Sequence, residues 1–158
     1  MNLLDIVKPD YLCIFHEPCE REEIINRLGM LLTNCGVVEQ AYIDAVLARE
    51  AEFPTGLELG EIHVAIPHAD SAAVKSPAIA LGVAKRGVPF RSMAEPEKEI
   101  AVHLVILLAT QRSEMQLQAL EKTMDFVQDP KRLKSLLEAA DEGELYTRFV
   151  EYLVLEEQ

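Results

Sequence analysis

The sequence predicts one α/β domain, and three observations carry that expectation. Short aliphatic runs cluster in the middle of the chain. Amphipathic segments of helical period stand on both sides of them. The whole, 158 residues, has the length of one ordinary domain. Helices, then strands, then helices imply layers packed around a single core. Apolar residues make up 49% of the chain and aromatics only 6%, so that core must be chiefly aliphatic.

Residues 20–35, EREEIINRLGMLLTNC, place Ile24, Leu28, Leu31 and Leu32 on one helical face, with acids in the first turn and Gly36 as a stop. A second helix is expected over 39–52, with Tyr42, Ile43, Val46 and Leu47 as its buried stripe and Pro54 and Gly56 beyond its end. Strands follow. IHVAI (62–66) is short and β-branched, while AIALGVA (78–84) and IAVHLVILLA (100–109) are apolar on both faces, as inner strands of a covered sheet should be. GVPFRSMAEPEKE (87–99) reads as an edge strand and loop, because Pro89 has no N–H for a central ladder. The last third predicts helices with stripes at Leu117, Leu120, Met124 and Val127, ending at Pro130; at Leu133, Leu136 and Leu137; and at Leu145, Phe149, Tyr152 and Leu153, with Gly143 marking a break.

Charge narrows the function. A formal net charge of −12 argues against nucleic acid and anionic membranes as partners, since phosphates demand clustered Lys and Arg. No apolar run reaches the ~18–20 residues of a membrane span, and MNLLDIVKPD lacks the order of a signal peptide, so the expected location is the cytosol. Cys13, Cys19 and Cys35 are odd in number and without zinc-ligand spacing, and are expected to be reduced thiols.

The chain has no GxxxxGK[ST], no GxGxxG after a strand and no GxSxG. Its one tight grouping of histidine and acid is His63, His68 and Asp70. His63 lies inside a predicted strand and His68 just past its end, and a third ligand is missing, so no metal site is expected. His16 reads as a loop residue, and His63 and His103 as ordinary strand histidines. His68 stands in a different context, VAIPHADSA. Pro67 should end the strand, and HADSAAV could then open a turn or short helix whose free N–H groups attract an anion. A histidine there, with an ordinary pKa of about 6.5, is neutral enough at cytosolic pH to be nucleophilic. The residues alone leave two readings open: a structural turn histidine, or an acceptor of a phosphoryl group.

LAREAEFPTGLEL (47–59) and VAIPHAD (64–70), at this separation and followed by AIALGVA, resemble the enzyme IIA domains of the bacterial phosphoenolpyruvate-dependent sugar phosphotransferase system, in the fructose–mannitol group and its galactitol-like type. The resemblance runs over nearly the whole chain, read as one IIA domain over residues 1–158. It implies a mixed sheet with helices on both sides. It also implies a phosphotransferase without cofactor or metal: His68 would accept phosphate, expected on Nε2, from the histidine-containing phosphocarrier protein. His68 would then pass it to a cysteine of enzyme IIB, which phosphorylates sugar entering through the membrane subunit IIC. Arg49 matches a family arginine beside the active histidine. It is the one basic residue of its helix, bordering the apolar stripe near Val46 and Phe53, and guanidinium geometry suits phosphoryl oxygens.

Mannitol-type members carry a second histidine at the start of the helix after the last long strand, where this chain has QRSEMQLQAL with Met115 in that place. Compensation is then expected from Arg49, from backbone amides at Ala69, Asp70 and Ser71, and from Gln111 or Ser113. Ala69, where mannitol-type members have Gly, fits the galactitol-like pattern. Because two proteins must visit it, the site is expected to be shallow, with an apolar rim from 53–57 that includes Phe53 and Thr55. The competing readings are a regulatory IIA paralogue, separated by transfer to a IIB cysteine; an interaction domain with an inert His68; and a metal-dependent hydrolase.

Overall fold

A computed structural model describes residues 2–157. Two 3-10 turns, Leu3–Ile6 and Pro9–Tyr11, lead into strand β1 (Leu12–Phe15). Helices α1 (Arg21–Asn34) and α2 (Gln40–Glu52) follow, close to their predicted bounds. Gly36, at φ 75°, makes the left-handed turn that ends α1. Next come β2 (Gly56–Leu57), β3 (His63–Ala65), β4 (His68–Asp70), β5 (Ala78–Arg91) and β6 (Glu99–Thr110). The chain finishes with α3 (Ser113–Phe126), α4 (Pro130–Leu137) and α5 (Glu142–Glu156).

The strands form one mixed six-stranded sheet, a single α/β domain as the sequence predicts. β6 lies inside it. β5 runs antiparallel along one edge of β6, and β3 and β4 run parallel along the other, end to end. β1 extends the sheet beyond β5 and β2 beyond β3. Every residue from Ala78 to Ala84 and from Leu104 to Thr110 is buried. A run without alternation requires a sheet covered on both faces. α1 packs on β5 and α2, while α3 and α4 pack on β6 and α5 on β1.

Three expectations change. β5 continues to Arg91 through Pro89, which sits opposite Ala101. The proline is tolerated because β1 leaves the ladder at Phe15↔Ala84, so β5 beyond that point is an edge, as the missing N–H demands. In α3 the fully buried residues are Ala119, Thr123 and Phe126; of the predicted stripe Val127 is buried, Leu120 and Met124 pack half-buried against the core, and Leu117 is exposed. Two of the three fully buried residues are small, so a stripe chosen by bulk alone is rotated. Gly143 falls within the first turn of α5; the break before it belongs to Asp141, whose side chain accepts from the Glu144 amide. Cys13, Cys19 and Cys35 are free thiols. Among the described residues, no helix is long and apolar enough to cross a membrane.

Candidate active site

The site lies where β3 gives way to β4. Ala65 pairs with Val105 and His68 with Leu108, three residues along each strand, so the path beside β6 runs straight through the interruption. Ile66 leaves the ladder, and Pro67 keeps only its carbonyl in it. The Ile66 amide turns to Thr55, donating to Oγ1 at 3.1 Å and to the carbonyl oxygen at 3.4 Å. Pro67 has no amide to satisfy, and its carbonyl accepts from Leu108 N at 3.0 Å. The Ile66 carbonyl is thereby left for a side chain, and it lies 2.7 Å from Nδ1 of His68. A carbonyl oxygen can only accept, so Nδ1 carries the proton and Nε2 holds the lone pair.

His68 is 6% exposed. The ring itself is therefore largely enclosed. The ring is seated by a strand, with α2 packed against it, and not carried on a turn. Since the Nδ1 edge is occupied by Ile66, approach is confined to the opposite edge. Burial lowers the pKa of the ring below the ordinary 6.5; the bond to Ile66 opposes this, the Arg49 charge adds to it, and Asp70 opposes it. The neutral, nucleophilic form is therefore favoured.

Arg49 is exposed on the last turn of α2, its guanidinium 5.5 Å from the centre of the Phe53 ring. Phe53 is itself 56% exposed. The rim expected from 53–57 narrows to this one residue. Thr55 is 2% exposed and engaged with Glu50 and Ile66, which places it under the site and not on its surface.

Of the turn or short helix expected from HADSAAV (68–74), the first three residues are instead strand β4, and the turn occupies 71–74, where Ser71 accepts from Ala73 N on its hydroxyl and from Val74 N on its carbonyl. The Ser71 amide donates to Thr110 O, so the alternation of the strand points the amides of Ala69 and Ser71 toward β6. The amides of His68 and Asp70 point to the other edge, which no strand pairs among the described residues. The amides of Ala69 and Ser71 are committed to the sheet.

Asp70 is exposed and accepts from Ser113 Oγ at 2.7 Å, which draws the start of α3 to the end of β4. Gln111 donates to the Lys75 carbonyl at 3.0 Å. Met115 is half-buried in the first turn of α3. His103 belongs elsewhere: His68 lies opposite Leu108, five residues along β6, or roughly 16 Å at the rise of a strand. His63 accepts from the Leu59 amide on Nδ1.

Glu50 has no counterpart among the expectations from sequence. Glu50 is 5% exposed and accepts from Thr55 N at 2.7 Å and Thr55 Oγ1 at 2.8 Å. Burial pushes its carboxyl up, opposed by those two bonds and by the charges of Arg21 and Arg49. A signal was available, since Glu50 continues the stripe of Ile43 and Val46, and an acid on a buried face needs a partner.

Comparison with known proteins gives the family and the fold. The family model described as phosphoenolpyruvate-dependent sugar phosphotransferase system, EIIA 2, matches residues 7–152. The galactitol-specific EIIA component of Escherichia coli (strain K12) is 33% identical over 135 residues, 85% of this chain and 89% of that protein. The solution structure of the cryptic mannitol-specific enzyme IIA CmtB of Escherichia coli superposes with a TM-score of 0.77 at 20% identity, covering 96% of this chain and 99% of that one. Enzyme IIA for mannitol from Escherichia coli, in complex with phosphorylated enzyme IIB, gives 0.73 at 21% identity, covering 94% and 99%.

Proposed function

Because the chain belongs to the EIIA 2 family of the phosphoenolpyruvate-dependent sugar phosphotransferase system, we propose that His68 is its phosphoryl carrier, acting through Nε2. The observation that carries this reading is the 2.7 Å contact of Nδ1 with the Ile66 carbonyl, which leaves the other nitrogen as the nucleophile. Residues 1–158 act as one IIA domain. The donor is the histidine-containing phosphocarrier protein. As Nε2 gives its lone pair to phosphorus, the P–N bond in the donor breaks and that electron pair returns to the donor ring. In the second step a cysteine thiolate of enzyme IIB attacks phosphorus, and the P–Nε2 bond breaks back to His68. Nδ1 keeps its proton throughout.

Little covalent help is needed beyond alignment and charge compensation. Arg49 supplies a positive charge that bears on the ring, and the amides of His68 and Asp70 supply donors at the open edge. Phe53 and the Arg49 stem give a small contact area suited to brief visits. The complex of a mannitol IIA with phosphorylated IIB supports the choice of second partner, and the galactitol-specific relative supports a galactitol-like sugar entering through a cytosolic relay to IIC. The test is labelling by phosphoenolpyruvate, enzyme I and the phosphocarrier, followed by challenge with IIB proteins. We expect acid-labile, base-stable phosphate that a galactitol-type IIB removes. No label on the folded protein would refute the carrier role.

A further inference from the structure

Glu50 is a carboxylate on the buried face of α2, where an unpaired charge would be strongly destabilising. Both of its oxygens are used, one by the Thr55 amide and one by the Thr55 hydroxyl. A hydroxyl that donates to Glu50 keeps lone pairs to accept the Ile66 amide, as it does at 3.1 Å. The carbonyl of the same residue then holds His68 Nδ1. Three hydrogen bonds thus lead from the carboxylate to the imidazole, all within or beneath the interruption between β3 and β4. Pro67 contributes no donor that could compete, and its carbonyl is fixed by Leu108.

We propose that Glu50 and Thr55 are positioning residues for His68: together they clamp the Ile66 backbone, so that its carbonyl selects the Nδ1–H tautomer and Nε2 is the nitrogen offered to phosphorus. The inference deepens the carrier reading and rests on it for its consequence, though not for its geometry. The Ile66 amide and carbonyl belong to different peptide units, so the action is one of placement and not of charge passed along a wire. The charges of Arg21 and Arg49 bear on the Glu50 carboxylate, and those of Arg49 and Asp70 on the His68 ring.

The test reads the ring directly. Two-bond 1H–15N spectra of the unphosphorylated protein, taken above the titration of His68, report which nitrogen is protonated. Wild type is expected in the Nδ1–H form. Thr55→Val removes the hydroxyl at nearly constant volume and should mix the tautomers, and slow phosphate uptake about tenfold at saturating phosphocarrier with KM unchanged. Thr55→Ser should restore both. Glu50→Gln keeps one acceptor oxygen and the shape of the side chain, should give a smaller shift of the same sign, and decides the matter if Thr55→Val does not fold. Folded variants with the wild-type tautomer and rate would overturn the clamp. A wild type that shows the Nδ1–H form, loses it in the variants, and takes no phosphate would uphold the clamp and overturn the carrier role.

Discussion

β3 and β4 lie end to end along the same edge of β6, each three residues long and each parallel to it, yet they do different work. Val64 and Ala65 in β3 are wholly buried and serve the core. β4 carries His68, the proposed phosphoryl carrier, with an exposed acid two residues on. The difference comes from Ile66 and Pro67, which free one carbonyl from the ladder without breaking the line of the strand. A continuous strand would have spent that carbonyl on a neighbour, and a wide loop would not have held it to within hydrogen-bonding distance of a ring. Rigid sheet on either side of a two-residue gap does both.

The strongest way to break the comparison is to remove the group that distinguishes the halves. His68→Ala should bring phosphate uptake to background while the melting temperature changes little, as measured by relay labelling and thermal unfolding. Damage to the β3 half should show the reverse pattern. Leu104 is fully buried opposite Val64, and Leu104→Ala should cost roughly 2–5 kcal/mol in denaturant unfolding and leave the folded fraction able to take phosphate. Arg49→Ala removes a surface cation that bears on the ring. Its loss should slow transfer roughly 10²–10³-fold, by analogy with lost donors to developing charge, and leave stability within about 0.5 kcal/mol.

The smallest effect is one of pH. Because burial lowers the folded pKa of His68, the ring stays neutral below its ordinary value, and the acid limb of the labelling rate should have its midpoint below 6.5. The sign for stability follows. As pH falls through 6.5 the unfolded ring binds a proton before the folded one, so this contribution to stability is lost from there down to the folded pKa. His68→Ala should lack that component when unfolding is followed against pH.

Much of this was legible beforehand where burial is one-sided or complete. The periods of α1 and α2 and the apolar run of β6 give bounds close to the observed ones, that of β5 gives only its first half, and VAIPHAD marks the histidine. What escaped depends on partners distant in sequence. β4 looks like a turn because a proline precedes it, and only the register with Leu108–Thr110 makes it a strand. α3 hides its core face in Ala119 and Thr123, which are too small to signal burial by bulk. Glu50 reads as one acid among many in an acidic chain until its stripe is seen to be buried. Thr55 looks like a rim residue because it follows the exposed Phe53, although Ile66, eleven residues on, draws it inward.

The central claim concerns one nitrogen. After phosphorylation through the phosphocarrier, 31P and two-bond 1H–15N spectra of the labelled protein locate the phosphate. The account predicts a single phosphohistidine, His68, with phosphorus on Nε2 and the proton retained on Nδ1. Phosphorus on Nδ1, or on any other residue, would contradict it.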